Sequence, residues 1–208
     1  MKFNGALKKL ALLGMAVLIS SGCAFGTRTV ELNYPPEYKK SIGPATAEAA
    51  QVPRDQSQLL GVMLFTDIRE DQAKIGSVRN GFGMETARVE AKYPVADWVT
   101  MAIIMELKKA GFTVSRVEDM NEPVTGPVLE GQVIKVFCDS YLSYKGEVIL
   151  SARIAIGDDE ILSKNYIGKG SAGTNWAMTS KSYGQSLSLA LADALNALVA
   201  DVVATFEK

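Results

Sequence analysis

Asp67, Arg69, Glu70, Asp71, Lys74, Arg79 and Asn80 crowd one span of the chain, with Phe82 and Met84 beside them. Charged, amide and apolar side chains in that mixture suit recognition of a partner, or chelation of a polar ligand, more than covalent chemistry. The usual general base near neutral pH is missing, because the 208-residue sequence contains no histidine. Ser-His-Asp and Cys-His mechanisms are excluded on that ground, as are histidine-based zinc sites. Carboxylate pairs and Ser-Lys dyads use residues that are plentiful here, but no local signature marks one. Asp67-Ile68-Arg69-Glu70-Asp71 lacks the ligand spacing and the glycine of an EF-hand calcium loop. The expectation is a non-enzymatic protein with no catalytic residues, no metal and no bound cofactor.

Gly168-Lys169-Gly170-Ser171-Ala172-Gly173 matches the dinucleotide fingerprint letter by letter after a predicted strand. That fingerprint works where its third glycine opens a helix facing the pyrophosphate, inside a strand-helix-strand unit. Seven residues, from Thr174 to Ser180, intervene before the final helix, and Asp193 falls inside that helix. The match is read as coincidence at a loose or bulged strand exit. Trp176, with Asn175, Met178 and Tyr183, is read as an aromatic anchor over the first turn of the helix.

Cys23 is the one residue with a clear covalent fate. Lys2, Lys8 and Lys9 precede the apolar run from Leu10 to Ile19, and Ser20-Ser21-Gly22 supplies small residues before the cysteine. A run of about 10 apolar residues is half of what a hydrocarbon core of about 30 Å requires of a spanning helix. The pattern resembles a bacterial lipoprotein signal, so residues 1–22 are expected to be removed and lipid attached to Cys23. Ala24 after the cysteine resembles the pattern of lipoproteins sent on to the outer membrane, where the protein is expected to face the periplasm. Several acyl chains on one thiol make such anchoring effectively permanent.

Loss of Lys2, Lys8 and Lys9 with a leader that holds no acid leaves 19 basic and 23 acidic side chains, a net charge of −4. Such a balance argues against nucleic acid as a partner. With Cys23 modified, Cys138 has no disulfide mate, so stability must come from a packed core. In the apolar run from Val133 to Cys138 that thiol reads as a small buried hydrophobe.

Between Ala24 and Gln58, Pro35, Pro36, Pro44 and Pro53 and a cluster of alanines interrupt any apolar period. Residues 23–58 therefore read as a tether, long enough to reach at most ~100 Å when extended. Alternation at 29–34 marks one short strand within it, either at a sheet edge or lying across the surface. The globular part, 59–208, opens with a buried strand at Leu59. A loop of roughly 25 residues follows over 69–94, longer than compact domains usually tolerate without function or disorder. A helix is predicted over 94–110, with Pro94 at its start and the left-handed Gly111 past its end. A strand over 112–117 would pair in parallel with the first through a right-handed crossover. Segments 128–141, 147–156 and 160–168 are joined too briefly to cross over and so read as antiparallel strands. A leucine stripe over 182–206 forms the last helix. The expected fold is a single α+β domain, a mixed sheet of about four to five strands carrying two amphipathic helices.

Several segments together resemble the YajG-like family of bacterial lipoproteins. They are the cysteine motif, Val30-Glu31-Leu32-Asn33-Tyr34-Pro35-Pro36, Thr66-Asp67-Ile68-Arg69, and Ile75-Gly76-Ser77-Val78-Arg79-Asn80-Gly81-Phe82-Gly83. Glu106-Leu107-Lys108-Lys109-Ala110-Gly111-Phe112 and the last helix extend the likeness over nearly the whole chain. The resemblance implies an outer-membrane lipoprotein with a small α/β domain, and it brings no catalytic residues. The expected function is that of a lipid-anchored accessory module that binds an envelope protein through Asp67, Arg69, Arg79, Asn80, Phe82 and Met84. The alternative is a periplasm-facing binding protein for a small ligand or envelope component, held in a cleft beside 67–90.

Overall fold

The computed structural model describes residues 26–35, 59–117, 126–174 and 179–207; Cys23, most of the predicted tether and Trp176 lie outside them. In chain order the strands are β1 (Gly26–Val30), β2 (Leu59–Met63), β3 (Thr66–Asp67), β4 (Lys74–Arg79) and β5 (Glu85–Ala91), followed by helix α1 (Val95–Lys109). Strands β6 (Thr113–Val117), β7 (Pro127–Ser140), β8 (Ser143–Ile156) and β9 (Asp159–Thr174) lead into helix α2 (Ser180–Phe206).

Strand β7 is the spine of the sheet. Along one edge it pairs antiparallel with β8, which pairs antiparallel with β9. Along the other it takes three parallel partners in turn: β2 at Val128-Leu129, β3 at Gln132-Val133 and β4 at 138–140. An irregularity between Val133 and Lys135 lets one long strand serve successive neighbours, since an extra residue bends a strand and increases its twist. Beyond β2 lies β6 in parallel, reached in the chain after β3, β4, β5 and α1; beyond β4 lies β5 antiparallel, and then β1 parallel to β5.

The sheet therefore has nine strands with two helices, and the expected four to five strands are too few. The largest error is the predicted loop over 69–94, which is the β4–β5 hairpin. Its strands interleave glycine and ion-paired polar residues with Ile75, Val78, Ala87 and Val89, so the apolar alternation is faint; their burial is supplied by β7 and β1, distant in sequence. The early strand spans 26–30 rather than 29–34 and takes the sheet edge of the two placements considered. Residues 36–58, which connect β1 to β2, belong to the expected tether and lie outside the described residues.

On β8, Tyr144, Gly146, Val148, Leu150, Ala152 and Ile154 point inward while Lys145, Glu147, Ile149, Ser151 and Arg153 point outward, the period of two expected of a sheet covered on one face. Helix α2 covers the inner face of β8 and β9, and α1 packs by β2, β3 and β6 and touches α2. Gly111, at φ +91°, closes α1, where its N–H donates to the Lys108 carbonyl. Thr179 caps α2 by accepting from the Ser182 N–H. By length and composition α2 could cross a membrane. Its Leu187, Leu191, Leu195 and Leu198 are nonetheless fully buried against the sheet, each contributing about 1.5–3 kcal/mol.

Candidate functional site

The six predicted site residues divide between the two ends of β4. Asp67 ends β3, whose short pairing to β7 fixes it beside the start of β4. Arg69 doubles back onto it: Nε donates to Asp67 Oδ1 at 2.8 Å and Nη2 to Oδ2 at 2.6 Å. The remaining guanidinium donors go to the carbonyls of Lys74, Val136 and Gln72. Both side chains are nearly buried, 7% and 8% exposed. All five donors of the guanidinium and both carboxylate oxygens are engaged within the fold, so this pair closes the 67–74 turn.

Arg79, Asn80, Phe82 and Met84 stand at the far end of β4, about 17 Å from Lys74 at the rise of an extended strand. Asn80 Oδ1 accepts from the N–H groups of Phe82 and Met84, both at 3.0 Å, and Gly83 turns the chain at φ +81°. An asparagine folding its side chain over the next residues in this way is turn chemistry. Arg79 donates to Asp139 at 3.0 Å and to the Gly83 carbonyl at 2.9 Å, tying the hairpin tip to the end of β7. Near the same tip the Glu85 carboxyl accepts from Lys74 and Ser77, and the Lys74 hydrogen bond holds it below the usual carboxylate range.

With those polar groups committed, the tip presents apolar side chains. Phe82 is 88% exposed and Met84 59%. The β7–β8 turn brings Leu142, 75% exposed, and Tyr141, whose hydroxyl donates to the Gly81 carbonyl at 3.1 Å. Tyr141 and Leu142 are not among the expected site residues, because the expected strand over 128–141 counts Tyr141 as strand; two apolar residues between a pair of long strands are the available signal.

The cleft expected beside 67–90 exists as a shallow hollow of about 310 Å³ lined by Asp67, Gln72, Lys92, Tyr93 and Pro94. Its charged groups are already matched, Asp67 with Arg69 and Lys92 with Glu31. Among the described residues no group of three or more potential metal-ligating side chains comes together. Cys138 is buried, and burial pushes its thiol up to about 12.

The dinucleotide-like run lies inside β9 instead of at a strand exit. Gly168 and Gly170 pair regularly with Val148 and Gly146, and the backbone of α2 crosses directly above them. Asp193 accepts the Lys169 N–H at 3.0 Å, so this acidic residue caps a sheet edge from the helix.

These features define a mixed α/β domain whose candidate site is an exposed apolar rim. Its fold is similar to that of protein XCC0632 from Xanthomonas campestris, of family DUF330, with TM-score 0.55 at 15% identity over 87% of this chain and 95% of that one. An uncharacterized protein gives 0.50 at 8% identity over 70% of this chain and 92% of its own. The hypothetical protein CT253 from Chlamydia trachomatis gives 0.47 at 10% identity, over 70% and 95%. No family model and no curated protein matches the sequence.

Proposed function

We propose that the chain is a YajG-like lipoprotein whose acylated Cys23 holds the α/β domain at the bacterial envelope, where it serves as a non-enzymatic accessory module for another envelope protein. The leader and the order of the YajG-like segments support this reading, and Ala24 supports the outer membrane. The observation that carries it is spatial: β1 opens at Gly26, three residues beyond Cys23. Three residues span at most about 11 Å, so acyl chains on that thiol would keep the whole domain against the bilayer.

A protein held so closely can offer a partner the sheet face that neither helix covers among the described residues. Phe137, Ile149 and Ile167 lie there, Ile167 57% exposed, among the Lys135–Glu147 ion pair and Lys169. A central apolar strip within a charged border is the usual composition of a recognition surface.

Cys23→Ser is expected to deplete the membrane fraction about tenfold or more after high-salt washing, since no acyl chain then contributes. Intact mass of the wild type should carry the lipid. Persistent membrane association of the serine variant, or an unmodified wild-type thiol, would sink the reading. A photo-crosslinking residue at Ile167 is expected to give a discrete adduct in cells, and one at Asp158 in the β8–β9 turn none; equal yields at both positions count against the sheet face.

A further inference from the structure

We infer that the paired turns at 80–84 and 141–142 rest in the lipid surface that holds Cys23, with Phe82, Met84 and Leu142 entering the headgroup region. The inference rests on the proposed acylation of Cys23 and adds an orientation to it. Phe82, Leu142 and Met84 are the three most exposed large apolar side chains among the described residues. They are gathered on two turns that the Tyr141–Gly81 and Arg79–Asp139 hydrogen bonds hold together. Isolated exposed apolar residues need no explanation, but a cluster of the most exposed ones at one extremity does.

The occupant follows from where the chain enters the sheet. Strand β1 runs parallel to β5 with Gly26 opposite Ala87, so the entry of β1 lies at the same end of the sheet as Met84 and Glu85. Met84 is three residues before Ala87 along the chain, about 10 Å. Cys23 lies within about 11 Å of Gly26, and lipid attached there brings the bilayer to this rim instead of to the β8–β9 turn. That opposite turn is about 45 Å away along the 14 residues of β8. The carboxylates flanking the rim among the described residues, Glu85 and Asp139, are matched by Lys74 and Arg79, each at 3.0 Å, which lessens their repulsion of lipid phosphate.

Three single-cysteine reporters test this in the full lipoprotein, reconstituted into phosphatidylethanolamine and phosphatidylglycerol vesicles. Phe82→Cys and Leu142→Cys sit at the rim, and Asp158→Cys sits at the far turn. Cys138 is buried, so an environment-sensitive fluorophore reports the introduced thiol. The expected result is a blue-shifted emission at 82 and 142, with quenching by spin-labelled lipid roughly threefold or more above that at 158, as for side chains seated in the interface. Intact mass of the same sample reports the acyl chains separately. Acylated protein whose rim labels behave like the one at 158 overturns the inference and leaves the lipoprotein reading standing. Rim labels shielded in native envelopes but not in these vesicles assign the rim to a protein and overturn it equally. An unmodified Cys23 overturns both.

Discussion

Gly168→Val is expected to cost about 3 kcal/mol or more, at or above the top of the usual range for overpacking a core. An added Cβ at this position would stand 1.9 Å from the Ala190 carbonyl oxygen and 2.5 Å from the Ala194 nitrogen. Both are helix backbone, which cannot rotate aside as a side chain can. Gly170 and Gly146 face the same helix, 2.2 and 2.6 Å from the Ser186 carbonyl oxygen by the same measure. Ser186, Ala190 and Ala194 recur every four residues, a small-residue stripe matching a glycine patch on β8 and β9. To admit a side chain, α2 would have to lift, and lifting it loosens Leu187, Leu191 and Leu195 together. Stability of a domain is typically only about 5–15 kcal/mol, so the variant is expected to unfold at a much lower urea midpoint. Gly81→Ala provides the comparison, because nothing lies within 4 Å of its Cβ; its cost should stay within about 0.5 kcal/mol. Coincident midpoints for the two variants would refute the packing argument.

That glycine patch also shows how far the sequence could be read. Where contacts are local or periodic, the residues speak directly: the stripe of α2, Gly111 after α1 and the short links within β7–β8–β9 each announce their element. Gly168 and Gly170 look like a ligand fingerprint or a loose strand exit until α2, which begins ten residues beyond Gly170, is laid over them. Strands β4 and β5 fail for a related reason. Gly76 reads as loop punctuation, yet its Cβ position lies 2.5 Å from the Cys138 carbonyl, and the close approach of β4 to β7 is what requires glycine there. The candidate site divides along the same line. Phe82 and Met84 were legible as apolar residues in a polar stretch, whereas Arg69 resembled Arg79 by composition and differs from it entirely in surroundings.

Arg69→Met is accordingly expected to destabilise the domain by about 3–5 kcal/mol, the cost of leaving a buried charge without its partner. Asp67, 8% exposed, would keep a carboxylate with no cation beside it, and three carbonyls would lose their donor. Arg79→Met should cost no more than about 1 kcal/mol, because Arg79 and Asp139 are 36% and 44% exposed and water can replace the lost contact. The double variant Asp67→Leu/Arg69→Met removes both charges and should be less destabilised than the sum of its two single changes. Urea midpoints of the four proteins against wild type decide the matter; a mild Arg69→Met, indistinguishable from Arg79→Met, would show that the pair is not a fixed part of the fold. Charge reversal at Arg69 would therefore disrupt the 67–74 turn whether or not a partner binds near it, so the rim must be probed where side chains support nothing beneath them, at Phe82 and Leu142.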